Sequence, residues 1–185
     1  MTQPATHPVY NTIDTLKEAL PDFAKDIRLN LSAVLKTDPN SGLSQEQVHG
    51  IALSAAYATQ HPAIITALEG ETAGTLSDAE KNAAKAAATV MAMNNVYYRF
   101  IHLAKDQELA QMPAGLRMNV IGNPGIEKAT FELYSLGVSA INGCGMCIES
   151  HTAAVQRESI SKAGVQHCVR IAAVITAAAQ ALAIN

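Results

Sequence analysis

The chain has 185 residues, enough for one domain with a filled core. Hydrophobic residues make up 49% and aromatics only 4%, with no Trp, so the core must come from Ala, Leu, Ile, Val and Met, which favours closely packed helices over sheets. Thirteen basic and sixteen acidic residues give a net charge of −3 with no basic stripe, which argues against a nucleic-acid-tracking surface.

Met1 to Tyr10 has neither a basic start nor an apolar run and does not read as a signal peptide. The expected compartment is therefore the reducing cytosol, where a disulfide is transient and catalytic rather than structural. Pro21 suits the first turn of a helix running to about Leu35, with Ile27, Leu31, Val34 and Leu35 on one face. Asp38 to Gly42 is a turn. Ser44 with Gln47 forms a capping box that opens a helix stopping near His61-Pro62. Ser77 with Glu80 forms a second box, opening an Ala-rich segment to about Leu103 with a break expected near Asn94-Asn95. Residues 105–126 are the long irregular stretch, of a length that is often functional.

A helix from about Ile126 to Ser139 follows, then a turn at Ile141-Asn142-Gly143 and a helix from about Cys144 to Glu158. The last helix covers about Val165 to Ala183. Its apolar end, Ile171 to Ile184, is 14 residues, too short for a bilayer span and read as a buried helix. Ser54-Ala55 and Ser139-Ala140 stand in similar places and suggest an internal repeat. The expectation is a single all-α domain over 1–185, with the chemistry at about 126–160.

That chemistry centres on Cys144-Gly145-Met146-Cys147 and His151. Positions i, i+3 and i+7 share a helix face. Cα atoms three apart on a helix are about 5 Å from each other, within disulfide range, so the pair can open and close with little backbone movement. A helix N-terminus favours a thiolate at Cys144. His151, four residues beyond Cys147, can take that thiol's proton. Glu132, twelve residues before Cys144 in an apolar segment, is the candidate to orient His151. Three plainer readings stand beside these. The cysteine pair could be half of a zinc site, although no second pair exists. It could be two inert core thiols. Glu132 could be an ordinary solvated helix residue. Haem attachment fails because Ile148, not His, follows the second cysteine. Cys168 reads as a buried thiol, and Met91 and Met93 as core filler. His102 could line the site or simply pack. Arg117 and Asn119 are candidates for network or subunit contacts. His7, His49, His61 and His167 have no partner motif.

Asn94-Asn95-Val96-Tyr97-Tyr98-Arg99, Leu116-Arg117-Met118-Asn119, Phe131-Glu132-Leu133 and the run from Ser139 to His151 resemble the alkyl hydroperoxidase D family. More loosely, the chain resembles the wider carboxymuconolactone decarboxylase-like fold. The resemblance implies an all-helical, duplicated fold assembled as a homotrimer. It implies reduction of organic hydroperoxides, with electrons from a dihydrolipoyl-bearing protein, no tightly bound cofactor or metal, and a peroxiredoxin of the alkyl hydroperoxide reductase C type as partner. It further implies that Cys147 is the peroxidatic thiolate and that Cys144 is the more exposed thiol, which closes the disulfide and meets the partner. His151 and Glu132 would relay the proton. Some members carry a second His between the cysteines, where this chain has Met146. Two other readings compete: a disulfide reductase or adaptor for a peroxiredoxin, and a non-redox, decarboxylase-like member of the wider fold. Neither nucleic acid nor membrane is an expected partner.

Overall fold

The computed structural model describes residues 10–185, which form ten α-helices and one 3-10 turn, with no strand among the described residues. The segment read for a signal peptide, up to Val9, and His7 lie outside the described residues.

Helix α1, Ile13–Ala19, opens on a reciprocal Thr12–Thr15 capping box that the sequence reading did not pick out. Pro21 then caps the 3-10 turn Asp22–Ala24, which leads into α2, Lys25–Val34. Both expected capping boxes are present: Ser44 with Gln47 opens α3, Gln45–Thr59, and Ser77 with Glu80 opens α5, Asp78–Ala104. Between them lies α4, Pro62–Glu71, a helix the sequence reading lacks. Pro62 does end α3, but it also starts α4, because its missing N–H costs nothing at a first helical position. The irregular stretch holds two short helices, α6 (Gln107–Gln111) and α7 (Asn119–Gly122). Then come α8, Lys128–Asn142; α9, Gly145–Arg157; and α10, Lys162–Ala183.

The break expected at Asn94-Asn95 is absent, and α5 runs unbroken through 27 residues. Asn is a weak helix former because its amide competes for local backbone groups. Here the Asn95 amide is engaged elsewhere: Nδ2 donates to Ser139 Oγ at 3.0 Å, and Oδ1 accepts from Asn142 Nδ2 at 2.9 Å. Tertiary hydrogen bonds thus override local propensity.

Helices α3 and α8 are the centre of the molecule. Every residue of α3 from Val48 to Ala56 and of α8 from Ala129 to Ser139 is buried. A helix that is enclosed all round must be covered on several sides, and α5 and α10 each pack on both. The two centres approach closely at Gly50, where a Cβ would stand 1.9 Å from the Tyr134 hydroxyl. Helix α10 is longer than the apolar run that marks its end. By length and composition alone it could cross a membrane, yet it packs against α2, α3 and α8 and buries Cys168, Ile171 and Ile175 among them.

The order of elements repeats. Two 15-residue helices, α3 and α8, each end on a left-handed residue, Gln60 or Gly143, before a shorter helix and then a long one. Aligning these ends sets Gly137, not Ser139, opposite Ser54, so the repeat lies in a different register from the one the sequence suggested.

Candidate active site

The site is built on the turn between α8 and α9. Gly143 takes φ +64°, a left-handed conformation that glycine adopts without steric cost. The Cys144 N–H reaches back to the Ser139 carbonyl at 3.2 Å, and the Gly143 N–H to that of Ala140. These bonds satisfy the end of α8 and reverse the chain within one residue. Cys144 is then the N-cap of α9 rather than its first residue. Its sulfur accepts from the Cys147 N–H at 3.3 Å, so a sulfur fills the role usually taken by a hydroxyl or carboxylate. The two cysteines form a disulfide with Cα atoms 5.3 Å apart, within the range expected from their spacing.

Helix α9 buries Cys147, His151 and Val155, one stripe at four-residue spacing. This brings His151 against Glu132 of α8, where Nδ1 and Oε2 are 2.6 Å apart and both side chains are buried. A carboxylate only accepts, so Nδ1 carries the hydrogen. The opposite ring nitrogen, Nε2, lies 3.2 Å from the Met91 thioether of α5. The expected His151–Cys147 hydrogen bond is not formed among the described residues; with Cys147 tied to Cys144, Nε2 rests on Met91 instead.

One expectation is reversed. Cys144, expected to be the more exposed thiol, is 0% exposed, and Cys147 is 6% exposed. The N-cap position turns the Cys144 sulfur inward over the first turn, beneath the exposed Gly143, Gly145 and Met146. What separates the two is the cavity. A space of about 340 Å³ is lined by Cys147, His151, Glu132, Met91 and Asn94 but not by Cys144. That is the size of a small-molecule site. A larger cleft of about 710 Å³ on the other side of α5, lined by Tyr57, Lys85 and Arg99, contains neither cysteine.

Sequence reasoning missed Met91 as a neighbour of His151, and missed the network that holds α5 to the turn. Arg99 donates to the Asn142 carbonyl at 2.6 Å, Asn142 to Asn95, and Asn95 to Ser139. The available signal was two Asn residues inside an apolar helix face. Asn94 is buried in the cavity wall, and its Oδ1 has no hydrogen-bond partner. His102 is exposed, with Nε2 4.0 Å from where a Gly145 Cβ would stand. Arg117 and Asn119 are exposed, and neither side chain forms a hydrogen bond or ion pair among the described residues. His167 is structural: buried, it bonds Ser41 Oγ and the Val34 carbonyl. Cys168 is a fully buried thiol donating to the Leu133 carbonyl, and burial pushes its pKa up to about 12. Such a thiol is unreactive.

The Carboxymuconolactone decarboxylase family profile matches residues 107–184. Over 168 residues, 91% of this chain, it is 51% identical to the Alkyl hydroperoxide reductase AhpD of Coxiella burnetii strain RSA 493, covering 95% of that protein. It is 53% identical to the protein of the same name from Rhodopseudomonas palustris strain BisA53, covering 91% of each chain. The Bradyrhizobium sp. strain BTAi1 protein, again so named, is 52% identical over 92% of this chain and 93% of its own. With half or more of the residues identical over nine-tenths of its length, the chain belongs to the alkyl hydroperoxide reductase AhpD family.

Proposed function

We propose that the protein is a dithiol peroxidase that reduces organic hydroperoxides at Cys147 and is recharged through the Cys144–Cys147 disulfide. The observation that carries this reading is the cavity on which Cys147 opens together with the buried His151–Glu132 pair. A peroxidatic thiol needs access for a small substrate, a base to ionise it and a second thiol within reach; the cavity, His151 one turn along α9 and the disulfide partner Cys144 support these three roles. The name carried by the relatives, alkyl hydroperoxide reductase, agrees with a peroxide-related oxidoreductase.

The cycle starts with the pair reduced. His151, oriented by Glu132, takes the Cys147 proton. The thiolate attacks the terminal peroxide oxygen, the O–O bond breaks, and the departing alkoxide receives that proton and leaves as an alcohol. Cys147 is now a sulfenic acid. The Cys144 sulfur attacks it, water leaves, and the disulfide closes. A protein-borne dihydrolipoyl dithiol then attacks the Cys144 sulfur and leaves as its own cyclic disulfide, with both cysteines reduced. Because Cys144 is covered, this exchange requires the Gly143–Met146 turn to open. The reduced Cys144–Cys147 pair also serves a peroxiredoxin of the alkyl hydroperoxide reductase C type, the partnership that the relatives' name supports. The reaction suits the reducing cytosol.

We propose a homotrimer, the assembly that the family resemblance implies; an exposed apolar stripe on α5 supports self-association. Val96, Phe100 and Leu103 share one helix face at 62, 57 and 66% exposure, more apolar surface than a solvated helix side normally carries.

Cys147→Ser tests the function. Turnover of cumene hydroperoxide with dihydrolipoamide is expected to fall to background while the helical circular-dichroism signal is kept. Retained turnover would remove Cys147 from the mechanism.

A further inference from the structure

The cavity is polarised from end to end. One-residue reversal at Gly143 packs α8 and α9 side by side, so the start of α8 and the end of α9 meet at the end away from the disulfide. Lys128, the first residue of α8, and Arg157, the last of α9, both line the cavity there. Lys128 stands one turn before Glu132, on the same face. Arg157 is ten residues beyond Cys147, about 15 Å along the helix. Both cations are exposed, and among the described residues neither has an ion-pair partner. Among the described residues Glu132 is the one carboxylate in the cavity wall; it is occupied by His151 and does not neutralise them.

Between the two ends the wall is mostly apolar and adaptable, with Ser150 and Tyr98 among its lining residues. Met118 and Ile121 come from the stretch around α7, Met146 from the cysteine turn and Met91 from α5. Methionine is unbranched and polarisable, and it moulds itself to flexible chains. Asn94, with its unpartnered buried Oδ1, sits in the same wall and can accept the hydroperoxide O–H.

Resting on the peroxidase reading, we propose that the preferred substrate is an amphipathic hydroperoxide carrying a carboxylate, of the fatty-acid hydroperoxide class. The peroxide sits at Cys147 and Asn94, the acyl chain lies along the methionine-lined wall, and the carboxylate pairs with Lys128 and Arg157. A short neutral hydroperoxide fills the reactive end and leaves both cations unused.

The test compares linoleic acid hydroperoxide with its methyl ester, using dihydrolipoamide as reductant, in the wild-type chain and in Lys128→Gln, Arg157→Gln and the double variant. The wild type should favour the acid in kcat/KM, with the preference shrinking as salt rises. The acid-to-ester ratio should drop roughly three- to tenfold in the variants, the scale of one or two partly exposed ion pairs. An acid-to-ester ratio of one in the wild type, or a ratio the variants do not move, overturns the proposal. Calorimetric titration of the oxidised protein with linoleate and methyl linoleate separates the two readings. Linoleate binding that weakens in the double variant, without turnover of any hydroperoxide, would uphold the ligand class and sink the peroxidase. Turnover of both hydroperoxides with equal linoleate and ester binding would do the reverse.

Discussion

At the scale of single residues the account rests on asymmetry within one turn of helix. Cys144 and Cys147 have the same chemistry, but one caps the helix facing inward and the other faces a cavity shared with His151 and Glu132. The residues that the sequence nominated do meet: His151 and Glu132 are paired at 2.6 Å although nineteen residues apart. The spacing of Cys144, Cys147 and His151 was legible because one helix enforces it. The relative burial of the two sulfurs was not, because it depends on whether Cys144 is a helical residue or the cap. Nor was Met91, whose role comes from the crossing of α5 over α9 and not from any local pattern. Glu132→Gln keeps a hydrogen-bonding partner for His151 but removes the carboxylate beside its ring. Its peroxidase kcat/KM is expected to fall about 10²-fold, the lower range for a general base, while the melting curve shifts little. An unchanged rate in stopped-flow oxidation of the reduced variant would leave Glu132 as a packing residue.

At the scale of elements, hydrogen-bonded chemistry that is local in sequence could be read and tertiary chemistry could not. The capping boxes at Ser44 and Ser77 are three-residue signals and are found as expected. Helix α4 is not legible at Pro62 because a proline that ends one helix starts the next equally well. Propensity at Asn94 and Asn95 points to a break in α5, but Asn95 is held by Ser139 and Asn142 of α8. The close crossing of α3 and α8 likewise leaves only a single glycine as its trace. Gly50→Ala would place a methyl group on the Tyr134 ring, with carbon contacts of 2.1 and 2.4 Å. Chemical denaturation should show a loss of about 1–3 kcal/mol, the usual range for overpacking. An alanine variant as stable as the parent would mean that α3 and α8 are not in direct contact there.

At the scale of the whole molecule, stability carries a pH dependence. His49 on α3 is buried, and its Nδ1 has no hydrogen-bond partner. Burial holds its pKa below the ordinary value, with Glu71 and Glu46 opposing in part. The unfolded chain therefore binds more protons than the folded one between the depressed folded pKa and about 6.5. The contribution of neutral His49 is fully present above about pH 6.5 and is lost as pH falls through the folded value. Urea midpoints measured from pH 7.5 down to 5 should decline, and less steeply in His49→Gln. Identical slopes would assign the decline to other groups.

Whether Cys147 is the sulfur that meets the peroxide is read from the site of oxidation. On the proposed mechanism, Cys144→Ser leaves Cys147 without its resolving partner, so the sulfenic acid should persist. After one equivalent of cumene hydroperoxide and trapping with dimedone, peptide mass spectrometry should place the adduct on Cys147, with Cys168 unmodified. An adduct on Cys168, or none on Cys147 in protein that remains folded, would contradict the account.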